Sequence, residues 1–422
     1  MTHDIPRLVD HLFRRESGKM VSYLTRLFGL GRLNVAEDIV QDVLLQALRV
    51  WPAHGLPDNP TAWLMRAARN RAIDLIRRDG QFREIASELA SSQVTGDDSR
   101  DVLAFDREIQ DDQLRLMFSC CHPELSTEVQ VTLILKTLCG FSVSEIASAL
   151  LASEDSIEKR LSRARNLFRE SGVLVELTNA SEIPLRLEAV YQAIYLLFNE
   201  GYHASQAETT VREDLCYEAL RLALLLIEHP QGARPRTSAL VALFCFNTAR
   251  LSGRIDAAGD LIPLEEQDRA SWDRDLIGKG FEYLARSAAE FELSEFHLEA
   301  AIAGLHSGAE SFAQTDWRQI QELYELLYQI KPTPVVALNR AIAIGRVAGP
   351  DQGLRELENI PDAGKLASYP FYPAAQGELH RLAGRPEQAR VYFEAALRLA
   401  RNPSETQFLE RKISSCTSPS VG

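Results

Sequence analysis

The chain has 422 residues, of which 45% are hydrophobic and 25% charged, and it carries a formal net charge of −13. That length predicts two or three domains of ordinary soluble composition. No apolar run is long enough to span a bilayer, the polar, periodic N-terminus lacks a signal-peptide core, and six scattered cysteines do not form a disulfide framework. The expectation is a cytoplasmic protein with no membrane partner.

The charge is uneven. Residues 1–80 sum to +3, residues 81–175 to −6 and the remainder to −10. A locally basic, DNA-binding face is therefore compatible with an acidic whole. Apolar residues recur at three- and four-residue steps along the chain, and alternating strand-like runs are nearly absent, so the predicted fold class is all-α.

The first helical segment covers residues 1–80. In AEDIVQDVLLQALRVW, Ile39, Val40, Val43, Ala47 and Trp51 form one apolar side, while Glu37, Asp38, Gln41 and Asp42 form an acidic polar patch. About ten residues later, NPTAWLMRAARNRAIDLIRRDG buries Leu64, Ala68, Ala72, Leu75 and Ile76. It turns Arg66, Arg69, Asn70, Arg77 and Arg78 outward, with Trp63 near its start. An acidic helix beside a basic one suggests two macromolecular partners of opposite charge. The next stretch, 81–110, has a middle rich in Ser, Thr, Gly and Asp that cannot bury enough to pack, and it reads as an acidic linker.

A second helical segment spans 111–177. Its CCHPE sequence at Cys120, Cys121 and His122 invites a metal reading, but adjacent cysteines suit one ion poorly and no second pair lies nearby, so buried thiols are expected and no metal or cofactor. Ser142 and Glu145 have capping-box spacing, and Ser153 caps a second helix. In that helix Ile157, Leu161, Ala164 and Phe168 make one apolar stripe, opposite a polar face carrying Lys159, Arg163 and Asn166, with Arg160, Arg165 and Arg169 at its flanks. A capped short helix, a turn and a helix with one basic face is the layout of a helix-turn-helix, in which Arg reads guanine and Lys and Arg neutralise phosphates.

The region 184–422 shows a weak repeat. Gly377, Ala389, Phe393 and Ala396 stand at steps of twelve, four and three, as do Ala341, Gly353, Leu357 and Ile360, and Gly308, Ile320, Tyr324 and Leu327. The three sets begin 33 and 36 residues apart, close to the tetratricopeptide period, which predicts stacked helical hairpins; a generic helical bundle is the competing reading. Residues 184–300 fit that template less well.

The order and spacing of AEDIVQDVLLQAL, AWLMRAARNRAIDLIRR and GFSVSEIASALLASEDSIEKRLSRAR resemble an extracytoplasmic-function sigma factor over about two-fifths of the chain. The remainder is similar to the C-terminal extension of a subgroup carrying tetratricopeptide-like repeats, with LLFNEGYHAS, EQDRASWD and TDWRQIQELYELL as stretches that recur there. The resemblance implies residues 1–80 as sigma region 2 and 111–177 as region 4. It implies that Glu37, Asp38, Gln41 and Asp42 dock on the β′ coiled coil of core RNA polymerase. The loop His54–Pro60 with Trp63, Asn70, Arg77 and Arg78 would open and hold the −10 promoter DNA. Lys159, Arg160, Arg163, Arg165 and Asn166 would read the −35 element, with the β flap as a further polymerase contact and the linker along the RNA exit path. The C-terminal groove is expected to support or regulate activity, through a protein regulator. A one-component helix-turn-helix regulator with a sensing domain is the alternative, and a protein-binding scaffold the next. Glu200, His203 and Ser205 make a tempting catalytic set, but no oriented triad, phosphate loop or metal cluster accompanies them, so no enzyme is expected.

Overall fold

The computed structural model describes residues 5–78, 112–150, 152–171, 183–203, 211–256, 260–289 and 292–417. The linker 81–110, the exact domain edges near 80, 111 and 177, and Ser205 lie outside the described residues. The fold is all-α. Among the described residues there is no strand, only an isolated bridge between Ile255 and Leu261. The chain divides into two compact units: residues 1–197 with 229–232, and 198–228 with 233–422.

In the first unit, α1 (Ile5–Phe28), α2 (Leu33–His54) and α3 (Pro60–Arg78) pack together. Ile39, Val43, Ala47 and Trp51 of α2 are buried, as are Leu64, Ala68, Ala72 and Ile76 of α3. The apolar period of each helix thus becomes the shared core. Each large side chain moved from water into such a core contributes about 1.5–3 kcal/mol. A helical run at 112–120 (α4) leads to α5 (Thr127–Thr137), whose Val129 to Leu135 are all buried, so this helix is enclosed on nearly every side. The short α6 (Val143–Ala149) and the longer α7 (Glu154–Ser171) follow. Cys120 and Cys121 are fully buried in this unit. The Cys120 sulfur lies 3.8 Å from the Thr137 hydroxyl, and burial pushes its pKa up to about 12.

The two helical groups of this unit touch. A Cβ on Gly18 of α1 would lie 2.1 Å from the Leu138 carbonyl oxygen just after α5, so only glycine permits that approach. Arg26 forms an ion pair at 3.0 Å with Asp112, whose carboxylate is fully buried.

The second unit is also helical. Of α8 (Ile183–Tyr202), residues up to Leu197 belong to the first unit and the last turn to the second; α9 (Glu213–Glu228), α10 (Pro235–Thr248), α11 (Arg274–Ser287) and α12 (Glu295–Gly308) follow. From Thr237 to Phe246 every residue of α10 is buried, and α9, α11 and α12 pack around it. Then come α13 (Trp317–Ile330), α14 (Pro334–Ala348), α15 (Pro350–Glu358), α16 (Phe371–Leu382), α17 (Pro386–Leu397) and α18 (Pro403–Thr417), each packed on its neighbour in sequence. Their starts are set by capping: Asp316 accepts from the Gln319 amide and Thr333 from that of Val336, and Pro occupies the first turn of α14, α15 and α17.

The small residues of the repeat sets act unequally. A Cβ on Gly377 would meet the Phe393 ring at 2.8 Å, so α16 and α17 cross there as the spacing predicts. In the middle set the close crossing is Gly345 against Gly353, with Ala341 contributing its carbonyl. Gly308 instead abuts Phe281 of α11, at 3.2 Å, rather than Tyr324.

Candidate nucleic-acid interface

The Ser142 hydroxyl accepts from the Glu145 amide at 3.1 Å while the Ser142 amide donates to the Glu145 carboxylate at 2.8 Å, which starts α6. Ser153 accepts from the Ser156 amide at 3.3 Å and starts α7. Ile157, Leu161, Ala164 and Phe168 are all buried, which fixes the rotation of α7 about its axis. Lys159, Arg163 and Asn166 are consequently exposed on one face, at steps of four and three. They line an open recess of about 490 Å³ together with Ser162 and, at its edges, Glu124 and Glu170. Lys159 pairs loosely with Asp155 at 2.7 Å, both well exposed.

In α2 the buried side leaves Asp38, Gln41 and Asp42 exposed. Asp42 pairs with Arg71 of α3 at 3.0 Å, with about half of each side chain in water. Next to them Leu45 keeps 51% of its surface exposed and Leu48 37%. In α3, Asn70, Arg77 and Arg78 are exposed, and Trp63 is half-buried, edge-on to Trp51 with centroids 5.4 Å apart. Asn59 caps α3 through the Ala62 amide at 3.0 Å, and the loop before it exposes His54, Leu56 and Asp58.

Residues 12–82 match sigma-70 region 2, residues 115–167 match sigma-70 region 4, and residues 186–288 match a family of unknown function, DUF6596. The uncharacterized protein R00370 of Rhizobium meliloti (strain 1021) is 38% identical over 387 residues, 90% of both chains. RNA polymerase sigma factor YlaC of Bacillus subtilis (strain 168) is 28% identical over 159 residues, 37% of this chain and 87% of that one. RNA polymerase sigma factor CnrH of Cupriavidus metallidurans is 29% identical over 155 residues, 35% of this chain and 78% of that one. The chain belongs to one family with the Rhizobium protein. Its N-terminal part carries matches to sigma-70 region 2 and then region 4, and over that part the chain is similar to RNA polymerase sigma factors.

Apart from Trp63, which is half-buried against Trp51, the candidate residues of regions 2 and 4 fall into two groups. Asp38, Gln41, Asp42, Asn70, Arg77, Arg78, Lys159, Arg163 and Asn166 are exposed. Three others are engaged within the protein. Arg160 is turned to Glu128 at 2.8 Å and keeps 21% of its side chain exposed. Arg165 of region 4 donates to Glu37 of region 2 at 2.7 Å, with 32% and 15% of the two side chains exposed. Beside that pair, Gly31 faces the Phe168 carbonyl, 3.2 Å from where a Cβ would stand. A residue of the expected polymerase patch and one of the expected −35 set thus neutralise each other. The pair joins residues 128 positions apart, which no local periodicity encodes. Leu45 and Leu48 also escaped the sequence reading, although their placement on the acidic stripe follows from the same helical rotation as Asp38 and Asp42.

Proposed function

We propose that this chain is a sigma factor of the extracytoplasmic-function type that docks on core RNA polymerase through the exposed stripe of α2 and selects promoters, contacting −10 DNA with region 2 and the −35 element with α7. The observation that carries this reading is the pair of open, unlike surfaces on one unit. One is an acidic and apolar stripe of Asp38, Gln41, Asp42 and Leu45, and the other a cationic face of Lys159, Arg163 and Asn166. Acidic groups beside exposed leucines suit a protein partner with a cationic rim, and a Lys/Arg/Asn face on a capped helix suits the major groove. The β′ coiled coil and β flap are the polymerase elements this reading names. In this reading the loop His54–Pro60, which exposes Leu56 and Asp58, captures an unstacked base.

In this reading the chain is a non-enzymatic, cytoplasmic subunit that needs no cofactor. Its C-terminal tetratricopeptide-like hairpins support activity, and an apolar recess of about 420 Å³ between α11, α12 and α13, lined by Phe281, Leu305 and Leu323, receives a protein regulator. No helix among the described residues is long and apolar enough to cross a membrane. The deciding experiment adds the purified chain to core polymerase and maps transcript starts genome-wide. New starts sharing two upstream elements are expected. Failure to form a complex with core on gel filtration overturns the proposal.

A further inference from the structure

Arg250 and Arg254 of the second unit are 8% and 6% exposed, yet among the described residues neither forms an ion pair or a side-chain hydrogen bond. Arg250 Nε and Arg254 Nη1 are buried without an acceptor. The neighbouring Trp272 indole N–H, wedged against Gly253, is likewise unpaired, as is His306 Nδ1. A buried guanidinium without a counter-charge is strongly disfavoured, and native interiors satisfy such donors. Arg269 beside them does follow that rule. It donates to the carbonyls of His306 and Ala309, the latter at 2.7 Å, and to the Thr315 hydroxyl at 3.3 Å.

The unpaired donors are pre-oriented. The Arg254 guanidinium lies 3.5 Å from the Tyr202 ring centroid, and those of Arg250 and Arg269 lie 5.3 and 4.9 Å from that of Trp272. A guanidinium against an aromatic face keeps its edge donors in plane, where a bidentate oxyanion accepts them. Tyr202 belongs to a rim of rings: His203 sits edge-on to it at 4.9 Å and near Phe371 at 5.9 Å, and Arg401 lies over Phe371 at 5.6 Å. The surrounding protein together with Arg254, Arg401 and Arg250 holds the His203 pKa well below the ordinary imidazole range, so the ring is a neutral hydrogen-bonding group there.

Three sequence stretches that regions 2 and 4 leave unexplained converge on this place. LLFNEGYHAS supplies Tyr202 and His203, EQDRASWD supplies Arg269 and Trp272, and TDWRQIQELYELL supplies Thr315. We propose that the second unit binds a small molecule through an oxyanion, a phosphate or a carboxylate, held by Arg250 and Arg254 under the rim of Tyr202 and His203. Guanidiniums this deeply buried are out of reach of a nucleic-acid backbone, and the part of the chain from residue 176 onward is net −10. Both facts point to a ligand small enough to enter.

The test is independent of promoter selection. The full chain is unfolded thermally in rising inorganic phosphate and, separately, succinate, with ionic strength held constant by KCl. A saturable rise in midpoint is expected with at least one anion, as binding to the folded state alone requires, and which anion acts identifies the oxyanion. Arg250→Leu and Arg254→Leu should bind at least about tenfold more weakly, while their midpoints without anion stay level or rise, because an unpaired buried charge has been removed. Arg236→Gln, which breaks an ion pair with Glu295 elsewhere in the unit, should retain the anion response. If the leucine variants do not fold, Arg250→Lys serves in their place: it keeps the charge, loses the fork, and should weaken binding by a similar factor in calorimetry. No midpoint shift with either anion, or an equal shift in the site variants, overturns the proposal.

Discussion

Replacing Glu37 with Gln should strengthen the binding of the isolated chain to −35 DNA. The Glu37–Arg165 contact is a single charge-assisted hydrogen bond of 2.7 Å, about one third open to water on the arginine side. Exposed pairs are worth about 0.2–1 kcal/mol and charge-assisted bonds away from water about 1.5–3 kcal/mol, so a half-buried pair falls near 1–2 kcal/mol. DNA that recruits Arg165 must first break this pair. Removing the glutamate charge should therefore raise affinity about five- to thirtyfold. The free guanidinium adds one phosphate contact, so the slope of log affinity against log salt should steepen by about 0.9. Fluorescence anisotropy at two salt concentrations reads both quantities. In an Arg165→Gln background the Glu37→Gln change should do nothing, which closes the double-mutant cycle. The reasoning is refuted if Glu37→Gln, with its helix content verified by circular dichroism, leaves affinity and slope as they were. If Glu37 also lies in the proposed polymerase patch, a polymerase cation that takes it frees Arg165 for DNA. By linkage, DNA must then favour polymerase binding by the same factor.

Arg163→Ala should cost promoter binding about 1–3 kcal/mol if it reads a base, whereas Arg160→Ala should cost less, because Arg160 already pairs with Glu128; equal losses in a gel-shift titration would contradict that ranking. Reversing Asp38 and Asp42 together to Lys should weaken assembly with core polymerase by several kcal/mol, measured by surface plasmon resonance, and an unchanged affinity removes α2 as the docking face. Burial, followed by Arg250 and Arg269, pushes the His306 pKa down to about 3. The unfolded chain then takes up a proton below about pH 6.5 that the folded chain refuses, so stability present above that pH is lost as pH falls. Allowing for the partial exposure of His306, the loss by pH 5 should be about 1–2 kcal/mol in denaturant titrations, and flat stability across that window would exclude it. Truncation after Glu176 should give a protein that initiates poorly in a run-off assay with core polymerase; better initiation than the full chain would make the C-terminal region inhibitory.

Local chemistry was legible in the sequence because it depends on neighbours three and four residues away. The Ser142–Glu145 box, the stripe from Ile157 to Phe168 and the apolar sides of α2 and α3 stand where the helical period puts them, except that Leu75 of α3 is only half-buried. Once those buried residues are fixed, the exposure of Lys159, Arg163 and Asn166 follows without further information. The fates of Arg160 and Arg165 do not, since each is decided by a carboxylate on another helix, Glu128 or Glu37. The repeat signal shows the same division. Gly377 and Phe393 meet as their spacing predicts, within one hairpin. Gly308 has the same spacing to Tyr324, but Phe281 of an earlier helix occupies its open side.

The arginine cluster of the second unit was illegible for a stronger reason. Arginine in a helical, acidic sequence reads as solvated surface, and Arg250 and Arg254 carry no motif that distinguishes them from their neighbours. What removes them from water is the packing of α10, buried from Thr237 to Phe246, which is followed closely by the three-residue helical turn Leu251–Gly253. Trp272 lies against Gly253, and Tyr202 arrives from a helix some fifty residues earlier. The sequence did mark His203, but as one of a set with Glu200 and Ser205, because proximity along the chain was the only proximity available. In space the partners of His203 are Tyr202 and Phe371, and burial, followed by the nearby arginines, disfavours its protonation, while buried Glu200 faces Arg212 at 3.8 Å. A neutral imidazole beside unpaired guanidiniums is poorly suited to activating a nucleophile and well suited to receiving an anion. The same histidine that suggested catalysis from its neighbours in sequence therefore points to binding from its neighbours in space.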